Sequence, residues 1–175
     1  MYFDDKIETM PRSAMEELQS QRLQQTIKWV QEKSGFYQKK FADSKVALQD
    51  IEVIQDLNKL PFTTKEELIA NAPLGMLTLE MNSVVRIEPI ESLPPLVMAY
   101  TSADIRHSIE ILARCLVAGG LNISSIIQIY EDYFTPIAQG MQYAAEMIGA
   151  TVVPIKVKQL EKQLEVIKKF NINYL

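Results

Sequence analysis

Apolar positions along the chain change period at about residue 80. Before that point the period is helical. Leu23, Ile27 and Val30 recur at i, i+4, i+7 within Ala14 to Lys33, a run rich in Gln, Glu, Leu and Lys. They share one face of a predicted helix. Ser13 with Glu16 has capping-box spacing at its start, and Gly35 suits a left-handed stop at its end. FYQKKFAD (36–43) predicts a further helical turn, and Asp56 to Leu60 a short helix halted before Pro61. In LPFTTKEELIANAP (60–73), Thr63–Glu66 and Thr64–Glu67 both have the spacing in which a hydroxyl caps amides and a carboxylate reaches back. That predicts a helix from Lys65 to about Asn71.

After residue 80 strands and helices alternate. SVVRIEP (83–89) and LVMAY (96–100) read as strands, separated by a stretch holding Pro94 and Pro95. Thr101 to Ala118 reads as a helix, with Thr101 and Asp104 at its start and Ile105, Ile109, Leu112 and Leu116 as its buried stripe. Gly119-Gly120 ends it. SIIQIY (125–130) and TVVPI (151–155) read as strands around a helix from Thr135 to Ile148, which Gly149 stops. Gln159 to Phe170 predicts a helix with Leu160, Leu164 and Ile167 on one face, and NINYL (171–175) the beginning of another strand. This alternation implies right-handed crossovers and a parallel sheet. The fold class is α/β: an N-terminal helical segment (1–82), then a partial Rossmann-like parallel sheet as a βαβαβ unit (83–175). Together they are expected to form one compact domain. The apparent stop on a strand is read as a truncation or as an edge covered by another chain.

Composition narrows the chemistry. The chain has 175 residues, 47% apolar and 23% charged, with a net charge of -4, which suits a globular protein and disfavours a nucleic-acid surface. One cysteine, Cys115, excludes an internal disulfide and a thiolate metal cluster, and one histidine, His107, excludes a histidine relay. No apolar run approaches the ~18 residues of a membrane span, and the N-terminus lacks the pattern of a signal peptide. A cytoplasmic location is expected. None of the six glycines lies between Gly75 and Gly119.

Several segments, in order, carry a family resemblance: YFDDKIETM, LNKLPFTTKEELIAN, VVRI at Val84–Ile87, YTSADI at Tyr100–Ile105, ARCLVAGG at Ala113–Gly120 and GATVVPI at Gly149–Ile155. The chain resembles the N-terminal part of phenylacetate–coenzyme A ligase and its relatives, such as coenzyme F390 synthetase-like proteins, within the adenylate-forming superfamily. The resemblance implies activation of an aromatic carboxylate with ATP and Mg2+, then transfer of the acyl group to coenzyme A (CoA). It also implies a loop rich in Gly, Ser and Thr between the VVRI-like strand and the strand ending in YT. Glycine there lets the backbone approach, so that amides and hydroxyls cradle phosphates.

Here that stretch reads VVRIEPIESLPPLVMAYT, without glycine. Pro94 and Pro95 remove amide donors. Glu88 and Glu91 repel a phosphate by about 1 to 4 kcal/mol at contact distance, depending on the local dielectric. The phosphate loop is therefore read as lost, and no cofactor is expected for this chain. Tyr130, Tyr133 and Phe134 fall where the family places aromatic residues beside its acyl pocket, and are the substrate-pocket candidates. Packing at the strand-to-helix junction is the plainer reading of these three. The family's ribose and adenine motifs and its catalytic lysine lie beyond Leu175.

No residue is assigned a catalytic or metal-binding role. His107 reads as a surface side chain, Cys115 as a small core hydrophobe, and Glu131-Asp132 as a solvated loop pair. Lys156, Lys158, Lys162, Lys168 and Lys169 read as a solvated face. Three functions are open: a degenerate ligase-like protein acting in binding or regulation, one half of a split aryl-acid–CoA ligase completed by a second polypeptide, or an aromatic-acid binding module. Expected partners are a second copy of the chain or a ligase-like chain, with a small aromatic acid as candidate ligand, and neither nucleic acid nor membrane. Exposed sheet edges and apolar helix faces favour a homodimer.

Overall fold

The computed structural model describes residues 1–90, 96–130, 135–155 and 160–175; the side chains of Tyr130 and Leu160 fall outside that description. The elements run α1 (Asp5–Glu8), α2 (Arg12–Lys33), α3 (Gly35–Asp43), α4 (Lys65–Ala70), β1 (Arg86–Ile90), β2 (Leu96–Tyr100), α5 (Ser102–Ala118), β3 (Ile126–Tyr130), α6 (Pro136–Ile148), β4 (Thr151–Ile155) and α7 (Leu160–Phe170). They form two compact units: Met10–Ser102, and Met1–Thr9 with Ala103–Leu175. The division between them falls after residue 102. The five residues linking β1 and β2 cannot make a parallel crossover, so the two strands pair antiparallel, from Arg86 opposite Tyr100 to Ile90 opposite Leu96. Neither joins another strand among the described residues. The strand expected over 83–89 starts late because 3-10 turn Met81–Ser83 precedes it.

In the unit Met10–Ser102, Ile27, Phe41 and Ile51 are buried, with Leu23, Val30 and Tyr37 packed against them. The predicted face of α2 is therefore the buried one. Its ends differ from expectation. No side chain caps its start at Pro11, and Glu16 instead takes Arg12 at 2.7 Å. Ser34, extended at φ -120, ends α2 and caps α3 by accepting from the Tyr37 N–H. Gly35 is therefore the first residue of α3 and not a left-handed stop. FYQKKFAD lies wholly inside α3, a longer helix than a single turn.

The segment from Thr63 to Glu67 ties α4 to α3. Thr64 Oγ1 accepts from the Glu67 N–H at 3.3 Å, and Glu67 Oε2 accepts from the Thr64 N–H at 2.8 Å, which completes a capping box. Of the two overlapping boxes in the sequence, this one forms. Thr63 is held elsewhere, 3.1 Å from the Tyr37 hydroxyl. Glu67 also accepts from Lys40, whose side chain is largely buried. This contact, with the capping amide, holds the Glu67 carboxyl below its ordinary range. Nearby, Asp56 accepts from the Glu52 and Val53 N–H groups and pairs with Lys59 at 2.8 Å. The expected helix there is a 3-10 segment, Ile54–Lys59.

In the other unit β3 and β4 pair in parallel, Ile126 opposite Thr151 through Tyr130 opposite Ile155. On the free side of β3, Ile127 bridges Tyr174 in parallel, and the Gln128 N–H donates to the Tyr174 carbonyl at 3.0 Å. This is the small parallel sheet expected from the sequence, without β2, and NINYL runs beside it. Leu121, Ile127, Ala145 and Ala150 form the buried centre. α5 and α6 meet through small residues: Ala113 and Ala144 are fully buried, and a Cβ on Gly140 would lie 2.9 Å from Leu112 Cδ1. Gly149 ends α6 at φ +89, the left-handed stop its sequence predicts. The buried line of α7 is shifted from the predicted one: Gln163 is buried and Leu164 is 54% exposed.

Two outcomes follow. Thr64→Ala removes the hydroxyl of the capping box and lowers unfolding free energy by about 1 kcal/mol, measured by chemical denaturation. The Asp56 pKa is pulled from the ordinary 3.8 to about 2 by Lys59 and the two amides. A carboxyl depressed in the folded state stabilises above its unfolded pKa, and that gain is lost as pH falls toward the folded value. Asp56→Asn is therefore less stable than the parent at neutral pH, and the gap closes as pH falls to about 2, read by acid titration of both proteins.

Candidate functional site

The residues between β1 and β2 are where the resemblance places a phosphate loop. Glu88 sits within β1, opposite Met98, and accepts from Arg86 at 3.4 Å. Glu91, Pro94 and Pro95 lie outside the described residues. The β1–β2 pairing itself limits that loop to five residues, 91–95, because Ile90 already faces Leu96.

The second sequence candidate is the end of β3. Tyr130 closes the strand opposite Ile155. Its side chain, with Tyr133 and Phe134, lies outside the described residues, as do Glu131 and Asp132. Beyond them Thr135 caps α6, its hydroxyl accepting from the Ala138 N–H at 3.2 Å, and Pro136 takes the first helical position.

His107 is exposed on α5, 4.0 Å from Glu110, as a surface side chain. Cys115 is not in the core: it is exposed. The buried positions of α5 are Ala113 and Val117. Position 115 lies about 200° around the helix from position 113 at 3.6 residues per turn, so its thiol turns away from them. Among the described residues, no three of His, Cys, Asp and Glu cluster as metal ligands. No helix among them is long and apolar enough to cross a membrane.

Among the described residues three cavities are of similar size, one of them, of about 330 Å³, lined by Gln24, Ile27, Lys28 and Leu48. A second, of about 370 Å³, lies between Leu68–Leu77 and the Ile90, Leu96 and Met98 face of the β1–β2 hairpin. The third, of about 310 Å³, lies where α5, β3, α6 and Tyr174 meet. Cys115 and Gln128 belong to its wall. Gln128 is 1% exposed, and neither its amide oxygen nor its amide nitrogen has a hydrogen-bond partner. Sequence reading passed over Gln128 inside a mostly apolar strand. The available signal was a polar residue at the middle of a strand that a parallel sheet buries on both faces.

With this geometry in view, the similarities to known proteins are informative. No protein-family model matches the sequence. The chain is 37% identical over 170 residues to a phenylacetate-coenzyme A ligase of Escherichia coli K12, covering 95% of this chain and 39% of that ligase. It is 32% identical over 170 residues to the phenylacetate-coenzyme A ligase of Pseudomonas putida, again covering 95% of this chain and 38% of the ligase. The chain thus spans about two fifths of the length of these relatives. Its fold matches a crystal structure of 2-hydroxyisobutyryl-CoA ligase in the postadenylation state, at a TM-score of 0.79 and 18% identity over 97% of this chain and 37% of that one. An open conformation of that ligase matches with the same TM-score of 0.79. By sequence, the chain is related along almost its whole length to the N-terminal part of the phenylacetate–coenzyme A ligases.

Proposed function

We propose that this chain is a degenerate ligase-like protein without ATP-dependent adenylating activity of its own, acting in binding or regulation. One observation carries the reading: β1 and β2 pair in a register that leaves five residues, ESLPP, where a phosphate loop would run. A phosphate-binding loop works by presenting several free amides and small side chains to an anion. The segment offers no glycine, two prolines and a carboxylate, and Glu88 adds a second carboxylate on β1. The chemistry of this donor set does not fit ATP with Mg2+. The purified chain incubated with ATP, Mg2+, phenylacetate and CoA is expected to release no pyrophosphate and form no phenylacetyl-CoA. Turnover in that assay, by coupled pyrophosphate release or by mass spectrometry, overturns the reading.

A second reading is favoured by coverage. The matched ligases extend well beyond the region they share with this chain, which is 39% of the Escherichia coli enzyme. As one half of a split aryl-acid–CoA ligase, the chain would be completed by a second polypeptide supplying the nucleotide site and the catalytic lysine. The apolar side chains Ile123, Ile137 and Leu164, exposed in the unit that holds β3, are consistent with such a partner or with a second copy of the chain. Co-expression with the remaining part of a related ligase should then yield a co-purifying pair with CoA ligase activity. Separate elution of the two pieces, with no activity on mixing, removes this reading.

A further inference from the structure

Three of the eight methionines, Met81, Met98 and Met147, are exposed to the same extent, at 50%, 49% and 48%. Their sulfurs differ in one respect. The Tyr100 hydroxyl donates to the Met98 sulfur at 3.6 Å, and among the described residues neither of the other two thioethers has a donor. The contact follows from β2 itself. Residues two apart on a strand share a face, so Met98 and Tyr100 stand side by side. Pairing with β1 fixes that arrangement, with Met98 opposite Glu88 and Tyr100 opposite Arg86. Met98 also belongs to the lining of the cavity beside the hairpin, with Leu68, Leu77, Ile90 and Leu96.

We propose that Met98 is a site of oxidation by hydroperoxides, with the Tyr100 hydroxyl assisting the oxygen transfer. A sulfur lone pair attacks the terminal oxygen of the peroxide; the S–O bond forms and the O–O bond breaks. The proton of the transferred oxygen passes to the departing oxygen, which leaves as an alcohol, or as water from hydrogen peroxide. The sulfur is oxidised by two electrons to the sulfoxide, and the peroxide is reduced. Negative charge builds on the departing oxygen as the O–O bond breaks, and a hydroxyl already held beside the sulfur donates to it without a search for position. The product gains too, because a thioether sulfur is a weak acceptor and the sulfoxide oxygen a stronger one. Oxidation thus puts a polar oxygen into a lining made largely of apolar side chains. The site stands whether or not the chain adenylates anything.

Met81 and Met147 are internal controls of equal exposure. The whole chain is treated with hydrogen peroxide, and sulfoxide at each methionine is followed over time by peptide mass spectrometry. Met98 should oxidise about fivefold faster than Met81 and Met147, the effect of one hydrogen bond of about 1 kcal/mol. Tyr100→Phe should bring Met98 to the rate of the other two and leave theirs unchanged. In the parent unfolded by guanidinium chloride, the three rates should be equal. A Met98 that reacts no faster than Met81 and Met147 in the folded parent overturns the proposal. So does a preference for Met98 that persists in a folded Tyr100→Phe protein or in the unfolded parent. If the variant does not fold, the comparison of folded with unfolded parent decides alone.

Discussion

The unit that holds the parallel sheet depends on β3 having a neighbour at each edge. On one side β4 pairs with it over five residues, and on the other Ile127 bridges Tyr174. Pairing at its edges satisfies the backbone of β3, and helices packed on a parallel sheet cover its side chains. That constraint accounts for the apolar run Ile126, Ile127 and Ile129. It also accounts for the alanines that let α5 and α6 approach each other. The same constraint traps Gln128, whose amide the sheet encloses without supplying a partner.

The unit Met10–Ser102 is organised by side chains that serve two purposes. Ser34 ends one helix and begins the next, which sets the angle between α2 and α3 without a glycine hinge. Glu67 closes the capping box of α4 and receives Lys40 of α3, so a helix start and a tertiary contact share one carboxylate. Because α4 has only six residues, it is too short to persist through intrinsic propensity, and this external tie is what holds it in place.

The similarity to phenylacetate–coenzyme A ligases runs along almost the whole chain. The same α/β arrangement appears in a ligase structure sharing 18% identity, so the fold tolerates wide exchange of side chains. The link between β1 and β2 has five residues, two of them proline, and the proposal of a lost phosphate loop rests there.

Element type and position were largely legible in the sequence because they rest on local rules. Periodicity located α2, α5 and α6, Gly149 marked a left-handed stop, and Thr64 with Glu67 marked a helix start. Strands β2 and β4 lie where their apolar runs predicted them. Legibility failed where two local signals competed or where distant residues decided the outcome. Ser13–Glu16 and Thr63–Glu66 have capping spacing, but Arg12 and Tyr37 drew Glu16 and Thr63 into other contacts. Cys115 and Leu164 were assigned to the wrong faces, since a helix presents a stripe whose rotation is set by what packs against it. The sequence alone determined most of the elements and the absence of glycine between Gly75 and Gly119. The tertiary structure decided which strands pair, where the chain divides, and that Gln128 and Cys115 share one cavity wall, because these depend on contacts between residues far apart in the chain.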